Sequence, residues 1–341
     1  MTYELVAKGK PELAISSGRV PAIVASRGEG ASVRFLEFFA VTIRNPNTRR
    51  AYYRAARQFF TWCEKTWRLV DLAEVQPMHV AAFVERRIRE VDKPSVKQEL
   101  AAVRMLFDWL VVGQIVPHNP ASSVRGPKHV VKKGKTPVLS AKEVRELLDG
   151  IEVVTKKKLK DGTEAETPAL VGLRDRALIA LLLYTFARVG AATGMKVEDC
   201  FVQDRRLWVR LHEKGGKYHE MPCHHNLEQY LHEYVDAARI REEKTSPLFR
   251  TFIGRTQQIT GNGMTQPDVF RMIGRRARAA GIDTEVCCHT FRASGITIYL
   301  LGGGTVENAQ AMAAHESPRT TKLYDRRNDS VSLDEVERIV I

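Results

Sequence analysis

The chain has 341 residues, 44% of them hydrophobic, enough for two ordinary domains with cores of their own. Its 53 lysines and arginines outnumber 40 acidic residues, and this excess of +13 is spread along the chain, as suits a protein that wraps a polyanion. Five cysteines argue against a disulfide framework, Met1 to Lys10 lacks the apolar core of a secretory signal, and the most apolar run, Ala177 to Ala187, is too short for a membrane span, so a cytoplasmic protein is expected.

Residues 1–31 show little periodicity and read as an arm or extension. From Ser32 the pattern turns helical, with Phe35, Leu36, Phe38, Phe39 and Val41 crowded before Asn45-Pro46-Asn47, and Thr48 is expected to cap a long helix. In that helix Tyr52, Ala55, Ala56, Phe59, Phe60 and Cys63 recur at helical spacing, while Arg49, Arg50, Arg54 and Arg57 lie near its start. Two more helices follow. Val80, Phe83, Val84 and Ile88 mark the core face of one, and Val96, Leu100, Val103, Phe107 and Leu110 that of the next, which also carries Lys97 and Arg104. No strand pattern of comparable quality precedes residue 130, so 32–128 reads as an all-α domain. Residues 129–139 form a basic, structure-poor linker in which Lys132 and Lys133 suit a phosphate backbone.

A second domain, 140–330, opens with a capping box, Ser140 and Glu143, before Val144, Leu147 and Leu148. Lys156 to Thr167 reads as an exposed insertion, and an apolar helix from Ala177 to about Phe186 delivers Arg188 at its end. Leu207 to Leu211 alternates like a strand and Tyr218 to Pro222 can return antiparallel, leaving Lys214 and Lys217 on the turn. Asn226 or His225 is expected to cap the helix of Leu227, Leu231 and Tyr234. Thr265-Gln266-Pro267 starts a helix rich in arginine, with Arg271, Arg275, Arg276 and Arg278, that Gly281 ends. Taken alone, these basic groups are equally consistent with solvated faces.

The densest chemistry lies between Cys287 and Tyr324. His289 and Arg292 stand three residues apart on a helix, so both side chains leave one face and can converge on one anion. His315 closes a later helical run, and Tyr324 follows a further turn. This is a phosphate-handling set with a nucleophile attached. A rival use of Cys223-His224-His225 and Cys287-Cys288-His289 as metal ligands lacks the paired Cys-x-x-Cys spacing of structural zinc, and no metal is expected. In the tail, 331–341, Leu333, Val336, Ile339 and Val340 can form an apolar helix face that docks on a neighbouring protomer or on its own domain.

Cys288-His289-Thr290-Phe291-Arg292, Ala313-Ala314-His315-Glu316-Ser317 and Thr320-Thr321-Lys322-Leu323-Tyr324 together resemble the carboxyl-terminal signature of tyrosine recombinases, the phage-integrase family, in order, residue type and spacing. Tyr184 to Arg188, followed by Gly194 to Asp199, resembles the box that carries the family's first catalytic arginine. It departs from that box at Phe186, where the family has glycine, and at Ala191, where an acidic residue commonly helps to hold the site. The 32–128 block, closing at Asn119-Pro120-Ala121, is similar to the family's core-binding domain.

The resemblance implies a mainly α fold with a small β-sheet in the catalytic domain (α+β), preceded by an all-α DNA-binding domain. It also implies a site-specific recombinase that cleaves and rejoins DNA through a 3′-phosphotyrosyl intermediate, with no metal, cofactor or ATP. Tyr324 would attack, His289 would take its proton, Arg188 and Arg292 would bind the phosphate oxygens, Lys214 would protonate the departing 5′ oxygen, and His315 would donate to the phosphate. Lys217 is a second candidate for the acid. DNA contacts would come from Arg49, Arg50, Arg54, Arg57, Lys97, Arg104, Lys132, Lys133, Lys217, Arg271, Arg275 and Arg276. The partner would be double-stranded DNA, with four protomers holding paired sites. Two rivals stay open: a topoisomerase with the same 3′ linkage, and a non-catalytic DNA-binding protein, which the alanine at 191 favours.

Overall fold

The computed structural model describes residues 20–129, 134, 136–158, 164–213, 216, 218–254 and 256–325. The chain divides into two units, Met1–Val130 and Val131–Ile341.

In the first unit, the described residues form helices and no strand. Helix α1 (Ala22–Ala25) buries Ile23 and Val24, so this part of the expected arm is packed core. Helix α2 (Glu29–Glu37) starts before Ser32 and widens into a π turn over Phe38–Thr42. Helix α3 (Pro46–Trp62) is capped by Asn45, not Thr48: the Asn45 side chain accepts from the amides of Asn47 and Thr48, and Pro46 needs no partner in the first turn. Helices α4 (Pro77–Glu90) and α5 (Lys93–Val112) complete the unit. Its core is aromatic, with edge-on contacts such as Phe35 to Phe39 at 5.1 Å and Phe59 to Phe83 at 5.2 Å. Buried Arg87 forks onto both Glu99 oxygens at 2.8 and 2.7 Å and ties α4 to α5. Ile88 and Val41, read as core from their spacing, are 42% and 56% exposed.

The second unit opens with α6 (Ala141–Asp149), whose Ser140 and Glu143 form the expected capping box. The stretch read as an insertion is an antiparallel hairpin, β1 (Val154–Lys158) with β2 (Glu164–Pro168), where the Thr155 and Thr167 hydroxyls bond across the strands at 2.9 Å. Helix α7 (Leu170–Tyr184) is buried almost all round, and short α8 (Val189–Thr193) follows it. A three-stranded antiparallel sheet comes next, in the order β3 (Cys200–Gln203), β4 (Arg206–His212), β5 (Tyr218–Pro222). Leu207, Val209 and Leu211 of β4 face the core in strict alternation, which sets the register that places His219 opposite Leu211.

Helix α9 (His225–Ala237) is capped by His224, whose Nδ1 accepts from the Asn226 amide, rather than by His225 or Asn226. Two short strands, β6 (Arg250–Phe252) and β7 (Ile259–Gly263), lead to α10 (Gln266–Ala279), which Thr265 and Asp268 cap and Gly281, at φ 67°, terminates. Helices α11 (Cys288–Leu301), α12 (Val306–Met312) and α13 (Pro318–Lys322) close the described chain. The unit is thus mainly α with, among the described residues, three small sheets, where the sequence suggested one. Asp175 of α7, fully buried, receives Arg174 on one oxygen and Arg275 and Arg276 of α10 on the other, at 2.6 to 3.1 Å.

Candidate active site

Arg292 is the site's most buried charge, 1% exposed, and it projects from α11 into the unit's interior. Its Nη1 donates to the Phe186 carbonyl, and its Nη2 donates to the Ala313 carbonyl at 2.6 Å. Both carbonyls lie at left-handed corners, since Phe186 has φ 54° and Ala314, just after Ala313, has φ 46°. Such backbone is uncommon for residues with a β-carbon, and here two instances turn carbonyls onto one guanidinium. Burial, and then the Arg188 charge, push the Arg292 pKa down to about 10, which leaves it protonated at neutral pH. Its Nε is buried without a hydrogen-bond partner, and the guanidinium as a whole lies beside the Tyr324 hydroxyl.

His289, one turn earlier on α11, reaches the same place. Its Nε2 lies 2.7 Å from the Tyr324 hydroxyl. Tyr324 follows α13, is 7% exposed, and is tethered through its carbonyl, which accepts from the Thr297 hydroxyl at 3.0 Å. The His315 ring stacks nearly parallel to the tyrosine ring at 5.9 Å, and its Nδ1 meets the Thr321 hydroxyl at 2.9 Å. Burial lowers the pKa of His289, helped by Arg292 and Arg188, and the same causes push His315 down to about 3. Burial raises that of Tyr324, against the pull of the two guanidiniums. At neutral pH a neutral imidazole therefore faces a neutral phenol.

Arg188 stands at the start of α8 with its side chain 42% exposed, and its Nη1 donates to Glu213 Oε2 at 2.5 Å. The Glu213 side chain, just past β4, is 5% exposed, and its other oxygen is buried without a partner. Across the sheet, His219 is half-buried with both ring nitrogens enclosed; the ring lies near the Met312 carbonyl without forming a well-aligned bond. Its pKa is lowered by burial above all, and Glu213, Arg292 and Arg188 all act on it. Glu213 and His219 escape a reading of the sequence by motif, and only strand alternation marks such positions as inward-facing. The alternation of β4 and β5 carries that signal for His219.

The structure thus gathers Arg188, His289, Arg292, His315 and Tyr324 in one place. Lys214, Lys217, Lys132, Lys133 and the 331–341 tail lie outside the described residues.

The remaining basic candidates divide by what their side chains touch. Arg54 and Arg57 are exposed and line a cleft of about 850 Å³ with Lys65, Arg86 and Arg87. Lys97 is exposed. Arg50 is exposed and bonds the Asn47 side chain at 2.6 Å, while Arg49 donates twice to the Ile43 carbonyl. Arg104 is a brace within the first unit, since its Nε and Nη2 donate to the carbonyls of Ala121 and Val124 and hold the loop after α5. On α10, Arg271 is 69% exposed beside Asp268 and Arg275 is 55% exposed, but Arg276 is 18% exposed and turned onto buried Asp175. Among the described residues no group of three or more His, Cys, Asp or Glu is placed to hold a metal ion, and no helix is long and apolar enough to cross a membrane.

Known proteins share this arrangement's frame. The tyrosine recombinase XerD of Listeria monocytogenes is 26% identical over 85% of this chain and 91% of its own length, and XerD of Corynebacterium glutamicum is 28% identical over 82% and 86%. Among solved structures, the XerH site-specific recombinase bound to its difH substrate superposes with a TM-score of 0.62 at 17% identity, over 91% of this chain and 84% of that one. A lambda integrase dimer bound to a core site gives 0.63 at 16%, over 88% and 78%. The N-terminal SAM-like domain pattern of phage integrases matches residues 33–113. The pattern of the phage integrase family itself spans residues 138–330, which include every residue of the cluster around Tyr324, and to that family the chain belongs.

Proposed function

We propose that this protein is a site-specific DNA recombinase that cuts and rejoins strands through a 3′-phosphotyrosyl intermediate. The observation that carries the reading is the 2.7 Å contact between the Tyr324 hydroxyl and His289 Nε2, beside two guanidinium groups, in a chain of the phage integrase family. A phenol, with a free pKa near ~10, attacks well only as it loses its proton. Burial keeps Tyr324 protonated at rest, and His289, kept neutral by burial and two nearby cations, is the base that takes the proton.

Attack by the tyrosyl oxygen on phosphorus builds negative charge on the non-bridging oxygens, and donors already fixed in place lower that barrier. Arg188 offers a partly exposed guanidinium and Arg292 a buried one beside the Tyr324 hydroxyl. With the Thr321 hydroxyl donating to Nδ1, His315 carries its hydrogen on Nε2 and can donate it to phosphate. The bond from phosphorus to the 5′ oxygen then breaks, and that oxygen takes a proton from Lys214. The phosphodiester energy is kept in the covalent intermediate, so a 5′ hydroxyl from a second duplex can reverse the step and exchange strands.

We assign the same arrangement four protomers on two paired double-stranded sites, acting in the cytoplasm, with contacts to the backbone from Arg54, Arg57, Lys97, Arg271 and Arg275. The 331–341 tail docks on a neighbouring protomer in this scheme. The test uses duplex DNA from the ends of the protein's own element, nicked beside the cleavage point, without metal or ATP. A denaturant-resistant protein–DNA adduct that Tyr324→Phe abolishes is expected, followed by transfer into a second duplex. Relaxation of one duplex without transfer would point to a topoisomerase, and tight specific binding without an adduct to a non-catalytic binder.

A further inference from the structure

We propose that Glu213 is the positioning residue of Arg188 in strand cleavage, and that it does from the end of β4 what an acidic side chain at position 191 would do from α8. The inference rests on the reading of Arg188 as a guanidinium that receives the scissile phosphate.

The pair is lopsided. Arg188 is 42% exposed and sits at the start of a five-residue helix, so its long side chain has little of its own to hold it. Glu213 is 5% exposed, and a side chain so enclosed has little freedom to move. The buried member therefore determines where the exposed one points. At 2.5 Å the contact is a charge-assisted hydrogen bond, and it takes a single corner of the guanidinium, Nη1. Among the described residues Arg188 forms no other side-chain bond, so its remaining nitrogens are left for phosphate oxygens.

Position 191 cannot contribute in the same way. Ala191 is 4% exposed and offers only its amide, which donates to the Arg188 carbonyl at 2.9 Å. The carboxylate has instead come from a strand 25 residues away along the chain. In the sequence Glu213 immediately precedes Lys214, the residue assigned the proton transfer to the 5′ oxygen in the proposed function.

The second Glu213 oxygen does not bond Arg188. It is buried without a hydrogen-bond partner, and Glu213 acts electrostatically on His219, whose two ring nitrogens are enclosed as well.

The test compares the full-length protein with Glu213→Ala, Glu213→Gln, Glu213→Asp and Arg188→Ala on the nicked duplex, measuring DNA affinity and single-turnover adduct formation separately. Glu213→Ala and Glu213→Gln are expected to bind DNA within about threefold of the parent and to cleave on the order of 100-fold more slowly. Glu213→Asp is expected to recover most of that loss, and so is Ala191→Glu introduced into the Glu213→Ala chain. Should Glu213→Ala fail to fold, Glu213→Gln keeps the side-chain volume and carries the comparison. Cleavage at the parental rate by Glu213→Gln overturns the proposal, as does a folded Ala191→Glu/Glu213→Ala protein no faster than Glu213→Ala. Absence of adduct from the parent, or parental cleavage by Arg188→Ala, would instead remove the underlying reading of the site.

Discussion

Gly295 leaves the space that the Phe186 ring fills: a β-carbon at 295 would stand 2.8 Å from two of its ring carbons and would also strike the Leu183 carbonyl oxygen. That ring sits on the left-handed corner whose carbonyl holds Arg292. Gly295→Ala is therefore expected to cost about 1–3 kcal/mol through overpacking, and to slow cleavage without any contact to DNA. Urea denaturation and adduct formation, measured on one preparation, check both halves. Unchanged cleavage in a destabilised protein would separate the corner from the chemistry.

Arg292 bridges two carbonyls on separate segments of the pocket wall, which a single ammonium group cannot reproduce. Arg292→Lys is expected to lose about 2–4 kcal/mol of stability, because buried carbonyls are left unpaired around a poorly solvated charge. Cleavage should fall by at least about 100-fold. A lysine variant as stable as the parent would count against the bridging role.

The buried histidines make the fold acid-sensitive. His315 is pushed from 6.5 in the free side chain to about 3, and His289 is lowered as well, so the unfolded chain binds more protons in acid than the folded one. Stability from these groups is complete above about pH 6.5 and declines on acidification, by up to about 1.4 kcal/mol per pH unit for each group, until its folded-state pKa is reached. Urea midpoints at pH 7.5, 6 and 5 should fall in that order, with a shallower trend for His315→Gln. If His289 is the neutral base proposed above, its own titration should not slow cleavage as pH drops from 8 to 6.5.

Asp175 binds three arginines from two helices with no exposure to solvent. Asp175→Asn is expected to cost about 3–5 kcal/mol, since it strands the charges of Arg174 and Arg276 in the interior. A melting temperature within a degree or two of the parent would mean that water reaches the cluster and screens it.

Sequence spacing is enough to put His289 and Arg292 on one helix face, to cap α6 with Ser140 and to pair β4 with β5, because each rests on rules that act over a few residues. Glu213 is out of reach: its significance depends on β4 delivering it to Arg188. Phe186 reads as a departure from the family pattern, and only the fold shows its backbone adopting the conformation that glycine takes most easily. Strand β7 is hidden because Thr, Gly and Asn dominate it and mimic loop composition, and β6 because three residues are too few to show an alternation. Arg104 and Arg276 pass for surface charge until the partners they reach, 17 and 101 residues away along the chain, come into view.

Tyr324 occupies the pocket built by its own chain, 35 residues on from the histidine that faces it. Under the proposed function, each polypeptide would carry its own nucleophile, and a neighbour on DNA would not have to lend one. Mixing subunits that lack Tyr324 with subunits that lack Arg292 should yield no working pocket at all. Were strands cut in turn, the order would then be set by when each copy releases its own tyrosine.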